Sequence, residues 1–205
     1  PSPVRTGWPA TERAVGRLAP PARGSACVRP DRAPMPWPPN YCSSCGARLA
    51  TDSIAVSAAP CTACGGIQYW NAKPCAGVLI ERGGRLLLAR RGIEPQLGAW
   101  DVVGGFVQPH EHPRQAAIRE ALEETGLRVE LRELVGMYVD RYGHGPGADY
   151  TLNIYFRAVA HAGEPRASSD VSELRWFAAS DLPDRLAFRH EPEVLEAWRS
   201  LWRLT

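Results

Sequence analysis

The segment Gly104–Leu127, GGFVQPHEHPRQAAIREALEETGL, restricts this chain more than any other stretch. Its second half reads as one helix from about Pro113 to Thr125, because proline suits a first turn and Gly126 sits where the residue past a helix end takes a left-handed backbone. At about 100° per residue, Glu120, Glu123 and Glu124 share one sector, and Ile118, Ala121 and Leu122 fall opposite. One face is expected to be core and the other a carboxylate cluster. Like charges three and four residues apart oppose helix formation by roughly 0.2–0.5 kcal/mol per pair, so something positive must compensate. Arg119 reaches Glu123 or Glu111 but cannot neutralise the whole set. Oxygen ligands of this kind suit Mg²⁺ or Mn²⁺, with substrate phosphates completing the coordination.

The remainder of the chain limits what surrounds this helix. A length of 205 residues supports one ordinary core with an appendage, and a net charge of +2 is too small for a nucleic-acid or membrane-surface protein acting through bulk electrostatics. No apolar run approaches the ~18 residues that span a bilayer, and the amino end has no signal-peptide pattern. A cytoplasmic, reducing setting is the expectation. In that setting four of the six cysteines, paired as Cys42/Cys45 and Cys61/Cys64, read as metal ligands rather than disulfides.

Residues 1–40 hold ten of the 19 prolines, six arginines and no periodic apolar pattern, a composition expected to be disordered. Met35 is a candidate native start; a genuine Pro/Arg tail fits the composition equally well. Residues 41–71 form a second unit, in which 15 residues separate the two CxxC pairs and Gly46 and Gly65 follow them directly, as the knuckles of a closed Cys₄ zinc site require. Such a site is structural; redox-active CxxC is the alternative, but no βαβ pattern surrounds either pair. Cys75 is expected to be a buried strand residue.

From residue 72 to 205 the pattern is a mixed α/β domain. Strands are expected at Cys75–Glu81 and Arg85–Arg90, joined by a hairpin at Arg82-Gly83-Gly84, then at Ala99–Val103, Val129–Tyr142, Tyr150–Ala160 and Leu174–Ala178. A terminal amphipathic helix is expected over Glu191–Leu204, with Val194, Leu195, Trp198, Leu201 and Trp202 on one face.

Gly105, five residues, Glu111, seven residues and then Arg119-Glu120-Ala121-Leu122-Glu123-Glu124-Thr125-Gly126-Leu127 resembles the Nudix box, with Ala121 a small residue at its first aliphatic position. The cysteine pairs and the Tyr69–Pro74 run ahead of the first strand resemble the zinc-ribbon branch of that family, which includes NADH pyrophosphatases and FAD or ADP-ribose diphosphatases. No SQPWPFP-like segment follows the box, which argues against NADH as the preferred substrate.

The resemblance implies a mixed sheet with helices on both faces. It also implies Mg²⁺- or Mn²⁺-dependent hydrolysis of a nucleoside diphosphate linked to another moiety. Glu120, Glu123 and Glu124 are then metal ligands, joined by a carbonyl of Gly104 or Gly105, and Glu111 pairs with Arg119. The general base is a box glutamate or a later acid, with Asp170 and Glu173 as candidates. Trp100, Phe106, Tyr142 and Tyr155 are candidate stacking residues, Arg90, Arg91, Arg141 and His144 candidate phosphate or substrate contacts, and His110 and His112 plain loop residues. The expected partner is a small nucleotide, and the carboxyl-terminal helix is the expected contact of a homodimer. Two other classes compete: a metabolite-binding regulator without activity, which would not need the whole acidic set, and a nucleic-acid-binding ribbon, for which Arg48 alone is too little positive charge.

Overall fold

The computed structural model describes residues 41–49, 58–144, 148–168 and 170–202. The expected tail, residues 1–40, lies outside them, as do most of the polar spacer of the ribbon and the tip of the Gly143–Gly147 loop.

Two short antiparallel strands, β1 (Ala58–Pro60) and β2 (Ile67–Tyr69), carry the second cysteine knuckle. Gly46 and Gly65 take φ of 71° and 74°, and their amides close turns onto the carbonyls of Cys42 and Cys61 at 2.9 and 2.8 Å. This is the left-handed geometry that the sequence demands of these glycines.

The larger sheet is built on β3 (Lys73–Arg82) and β4 (Arg85–Arg91), an antiparallel hairpin whose turn glycines Gly83 and Gly84 both have positive φ. Next come β5 (Trp100–Asp101), β6 (Gly104–Phe106), helix α1 (Pro113–Thr125), β7 (Val129–Tyr142), β8 (Asp149–Ala160), β9 (Val171–Ala178) and helix α2 (Glu191–Trp202). Strand order runs β5-β4-β3-β8-β7, with β9 added to β4 and β6 to the start of β3. β3 and β8 run parallel and the other pairings are antiparallel, so the sheet is mixed as expected. The single strand expected at Ala99–Val103 is instead two: Trp100–Asp101 pairs with β4 and Gly104–Phe106 with β3. The chain crosses between them at the point where β4 and β6 part along the edge of β3.

Central strands β3 and β4 are apolar on both sides because a helix covers each face. Val78, Ile80, Leu87 and Ala89 face α1; Leu79, Leu86 and Leu88 face α2 with Val194, Leu195 and Trp198. Trp198 is fully buried and its indole donates to Glu81 Oε1 at 2.5 Å, beside the Arg157–Glu81 pair at 2.7 Å. This tryptophan belongs to the core.

Helix α1 corrects one expectation. Ile118 and Leu122 are exposed, and Ala116, Ala117 and Ala121 are the side chains buried against the sheet. Only short side chains fit where the helix lies close to β3, and the arc they define contains Glu120 and Glu124. These two glutamates therefore sit on the inward side of α1, not opposite the core.

Candidate active site

The ends of α1 are fixed by its own residues. His112 Nδ1 accepts from the Arg114 amide at 3.2 Å and the Gln115 side chain accepts from the His112 amide at 3.0 Å, a reciprocal cap in which His112 is more than a loop residue. Gly126, at φ 70°, closes the other end onto Leu122. A helix so anchored presents Glu120 and Glu124 one turn apart to a cavity of about 400 Å³.

Gly104 and Gly105 bring β6 under that helix. A side chain on Gly104 would meet the backbone of β3, with Gly77 Cα at 2.7 Å; one on Gly105 would overlap the Glu120 carboxylate. The Gly104 amide donates to Glu124 Oε2 at 3.3 Å. Gly105→Ala is expected to leave stability nearly unchanged, since a flexible carboxylate can swing aside, and to lower kcat by about 10²-fold through misplacement of that carboxylate. Steady-state kinetics with a melting curve checks this.

Arg119 binds more acids than its spacing suggested. Its guanidinium bridges Glu111 by two bonds of 2.9 Å, Glu120 at 2.6 Å and Glu123 at 2.9 Å, and donates to the Phe106 carbonyl at 3.1 Å. Arg119 and the Gln108 amide hold the Glu111 carboxyl below its usual range. Glu120 is pushed up, by burial ahead of the opposing pull of Arg119. Glu124 is pushed up to about 8 by burial, then by Asp101 and Glu120. Two carboxylates turned into one cavity at such cost in desolvation and repulsion are chemically suited to a divalent cation with oxygen preference.

Asp101, also in the cavity lining, pairs with Arg91 at 2.7 Å. The Arg91 guanidinium lies 5.3 Å from the Phe188 ring and 5.9 Å from Tyr142; these two rings stack at 5.8 Å, and Phe106 meets Tyr142 edge-on at 5.4 Å. Asp170 also lines the cavity, as do Tyr155 and His190. Glu173 does not: its carboxylate pairs with Arg175 and, at 3.5 Å, with Arg90. Trp100 packs edge-on against Phe177 at 4.9 Å, His144 is exposed near Glu94, and the Arg141 guanidinium lies 5.9 Å from the Tyr150 ring.

Asp101, Asp140, Phe188, His190 and Glu191 escaped the sequence reading. Glu191, fully buried at the start of α2, accepts from the Val102 and Phe188 amides at 2.9 Å each, and burial together with Asp101 holds its carboxyl well above the usual range. No spacing rule links these positions, which come together only when α2 folds back over β7 and β8.

The four sulfurs of Cys42, Cys45, Cys61 and Cys64 all lie within 4.8 Å of one another, with Cys42–Cys64 at 3.7 Å and Cys45–Cys61 at 3.6 Å. Tetrahedral zinc with bonds of about 2.3 Å would set sulfur–sulfur edges at roughly 3.8 Å, so the donor set fits zinc. Amides of Ser44 and Cys45 help hold the Cys42 thiol down at about 6. Cys45, despite the Ala47 amide, is pushed up to about 12 by the neighbouring sulfurs. A cation at the centre would take the place of the protons those sulfurs share.

Residues 72–198 match the family model described as the NUDIX domain, well over half of the chain. The chain belongs to the Nudix hydrolase family. Among its Nudix relatives it is 32% identical over 122 residues to a MutT-like protein of Streptomyces ambofaciens, covering 60% of this chain and 73% of that one. It is 34% identical over 123 residues to an ADP-ribose pyrophosphatase of Methanocaldococcus jannaschii, covering 59% of this chain and 70% of that one. A longer match, 78% of this chain at 32% identity, is to the NAD-capped RNA hydrolase NudC of Pseudomonas aeruginosa, of whose length it spans 56%. The crystal structure of a NUDIX hydrolase from Nitrosomonas europaea superposes with a TM-score of 0.63 at 30% identity, over 77% of this chain and 90% of that one. The expected Nudix fold with an amino-terminal four-cysteine cluster is what the structure contains.

Proposed function

We propose that this Nudix enzyme is a Mg²⁺- or Mn²⁺-dependent hydrolase that cleaves the pyrophosphate bond of a nucleoside diphosphate linked to another moiety, of the ADP-ribose, FAD or nucleotide-sugar type. The observation that carries this reading is the pair Glu120 and Glu124, turned from adjacent turns of α1 into one cavity that Arg91, Tyr142 and Phe188 also line. Acids, a cation and stacked rings in one cavity suit a ligand that combines a diphosphate with a ring.

Glu120 and Glu124 would hold the cation, with the backbone of Gly104 or Gly105 and a water-mediated contact from the more exposed Glu123. When bound, the ion neutralises phosphate charge and acidifies a coordinated water. Arg119, fixed by Glu111, keeps the helix glutamates in register. Water attacks phosphorus, the bridging P–O bond breaks, and the proton of the water passes to a carboxylate that lines the cavity; Glu120, Glu124 and Asp170 meet that condition and Glu173 does not. The four-cysteine unit holds a structural zinc. Metal analysis is expected to find one zinc per chain, and Cys61→Ser to bring it near zero; full zinc retention in that variant contradicts the assignment.

The test of function is a panel of ADP-ribose, FAD, NADH, nucleotide sugars, dinucleoside polyphosphates and NAD-capped RNA with purified protein and Mg²⁺ or Mn²⁺. Metal-dependent release of a mononucleotide, or of decapped RNA with its nucleotide, from at least one of them is expected. Inertness toward every member with both metals overturns the reading.

A further inference from the structure

The floor of the cavity carries polar side chains that the hydrolytic step leaves unused. Tyr155 of β8 and His190, next to α2, are 5% and 6% exposed, and both line the cavity. The Tyr155 hydroxyl lies 2.7 Å from His190 Nε2, and His190 Nδ1 lies 2.8 Å from Asp140 Oδ2. The rings are held in place: Tyr155 lies over Gly77, where no side chain fits, and His190 stacks on Tyr138 at 5.9 Å and near Phe188 at 6.2 Å.

The hydrogen bonds of this chain have a direction. Asp140 Oδ1 accepts from the Arg141 amide at 2.7 Å, and Oδ2 also accepts from the His190 amide at 3.2 Å. Burial opposes the ionised form of Asp140, but the His190 ring and these two amides hold its carboxyl below the usual range. An ionised acceptor favours the tautomer with the imidazole hydrogen on Nδ1, in which Nε2 accepts from the Tyr155 hydroxyl. The one hydroxyl hydrogen of Tyr155 is thereby spent inside the protein. Its neighbours on the same face of β8 are spent likewise. Asn153 donates to the Tyr138 carbonyl at 3.3 Å and to Thr151 Oγ1 at 3.0 Å, and Thr151 donates to the Asp140 carbonyl at 3.3 Å. Three cavity-lining polar residues are left with oxygen lone pairs and no hydrogen to offer.

We propose that Asp140 and His190 are positioning residues that set the Tyr155 hydroxyl as an acceptor, so that this floor selects substrates presenting a hydroxyl or amino donor to it and rejects those presenting an acceptor. The inference rests on the reading of the cavity as a nucleoside diphosphate site. The donor is either a ribose hydroxyl or the exocyclic amine of the base.

Calorimetric titration in a Glu124→Gln background at about pH 8.5 separates the two sources without requiring turnover. ADP-ribose is compared with its hypoxanthine analogue, which replaces the amine by a carbonyl, and with analogues lacking single ribose hydroxyls. About 10- to 100-fold tighter binding of ADP-ribose than of one of these is expected. Tyr155→Phe keeps the ring and removes the oxygen, and is expected to abolish that preference.

Asp140→Ala is the sharper variant. It removes the acceptor of the Nδ1 hydrogen, so the imidazole carries its hydrogen on Nε2 and donates to Tyr155, whose own hydrogen turns to the cavity. Acceptor-bearing analogues are then expected to gain on donor-bearing ones, which simple loosening of the fold would not produce. Equal binding of all probes, failure to bind any of them, or a preference that survives Tyr155→Phe overturns the proposal. Failure of the hydrolysis panel alone overturns only the reading of the reaction.

Discussion

Glu124→Gln is expected to lower kcat for Mg²⁺-dependent hydrolysis by on the order of 10³-fold or more, a loss of about 4 kcal/mol of charge stabilisation, while making the metal-free protein more stable at alkaline pH. Both effects come from the position of this side chain on the inward arc of α1. Its carboxyl is pushed from 4.5 up to about 8 by burial and by the Asp101 and Glu120 charges. Between those two pH values the folded protein retains a proton that the unfolded chain has released. Metal-free stability is therefore fullest at low pH and falls as pH rises toward about 8, by a few kcal/mol in total from this one group. Glutamine resembles the protonated acid, so the variant escapes that loss. Melting curves in EDTA at about pH 5 and about pH 8.5 should show little difference between the proteins at the first and a clear gain for Glu124→Gln at the second. No gain in stability for Glu124→Gln over the wild type at about pH 8.5, or near-normal turnover, contradicts the role given to Glu124.

Gly104→Ala is expected to destabilise the fold by about 3 kcal/mol and to remove activity with it. The added methyl would meet the Ala76 carbonyl oxygen at 2.5 Å and Gly77 Cα at 2.7 Å, both in the backbone of the strand that Gly104 pairs with. A side chain could rotate away; a central strand cannot. β6 must part from β3, and the Gly104 amide leaves Glu124 as it goes. Denaturant titration measures the loss, and the contrast with Gly105→Ala, where the obstacle is a movable carboxylate, separates scaffold from site within two adjacent residues.

Local chemistry was readable in the sequence where one residue dictates one conformation. The caps of α1, the hairpin at Gly83-Gly84 and the cysteine knuckles at Gly46 and Gly65 all lie where proline, glycine and CxxC spacing put them. Periodicity misled at α1 because the larger apolar residues, Ile118 and Leu122, are the exposed ones: the close approach of the helix to β3 admits only short side chains, and that distance is a tertiary property. For the same reason the rest of the cavity lining was illegible. Asp101 sits in a two-residue strand, and Asp140, Tyr155 and His190 are distant in sequence yet joined by bonds of 2.7 and 2.8 Å, an arrangement produced by the antiparallel pairing of β7 with β8 and the return of α2. Spacing identified the acids on one helix; only the fold shows what they face.

The most direct test of the central claim is Mn²⁺ binding, followed by electron paramagnetic resonance, to the wild type and to Glu120→Gln and Glu124→Gln. The cavity geometry predicts that the wild type takes up Mn²⁺ with loss of its free-ion signal, and that each substitution weakens uptake at least about tenfold while Glu173→Gln does not. Undiminished Mn²⁺ binding in both helix variants would contradict it.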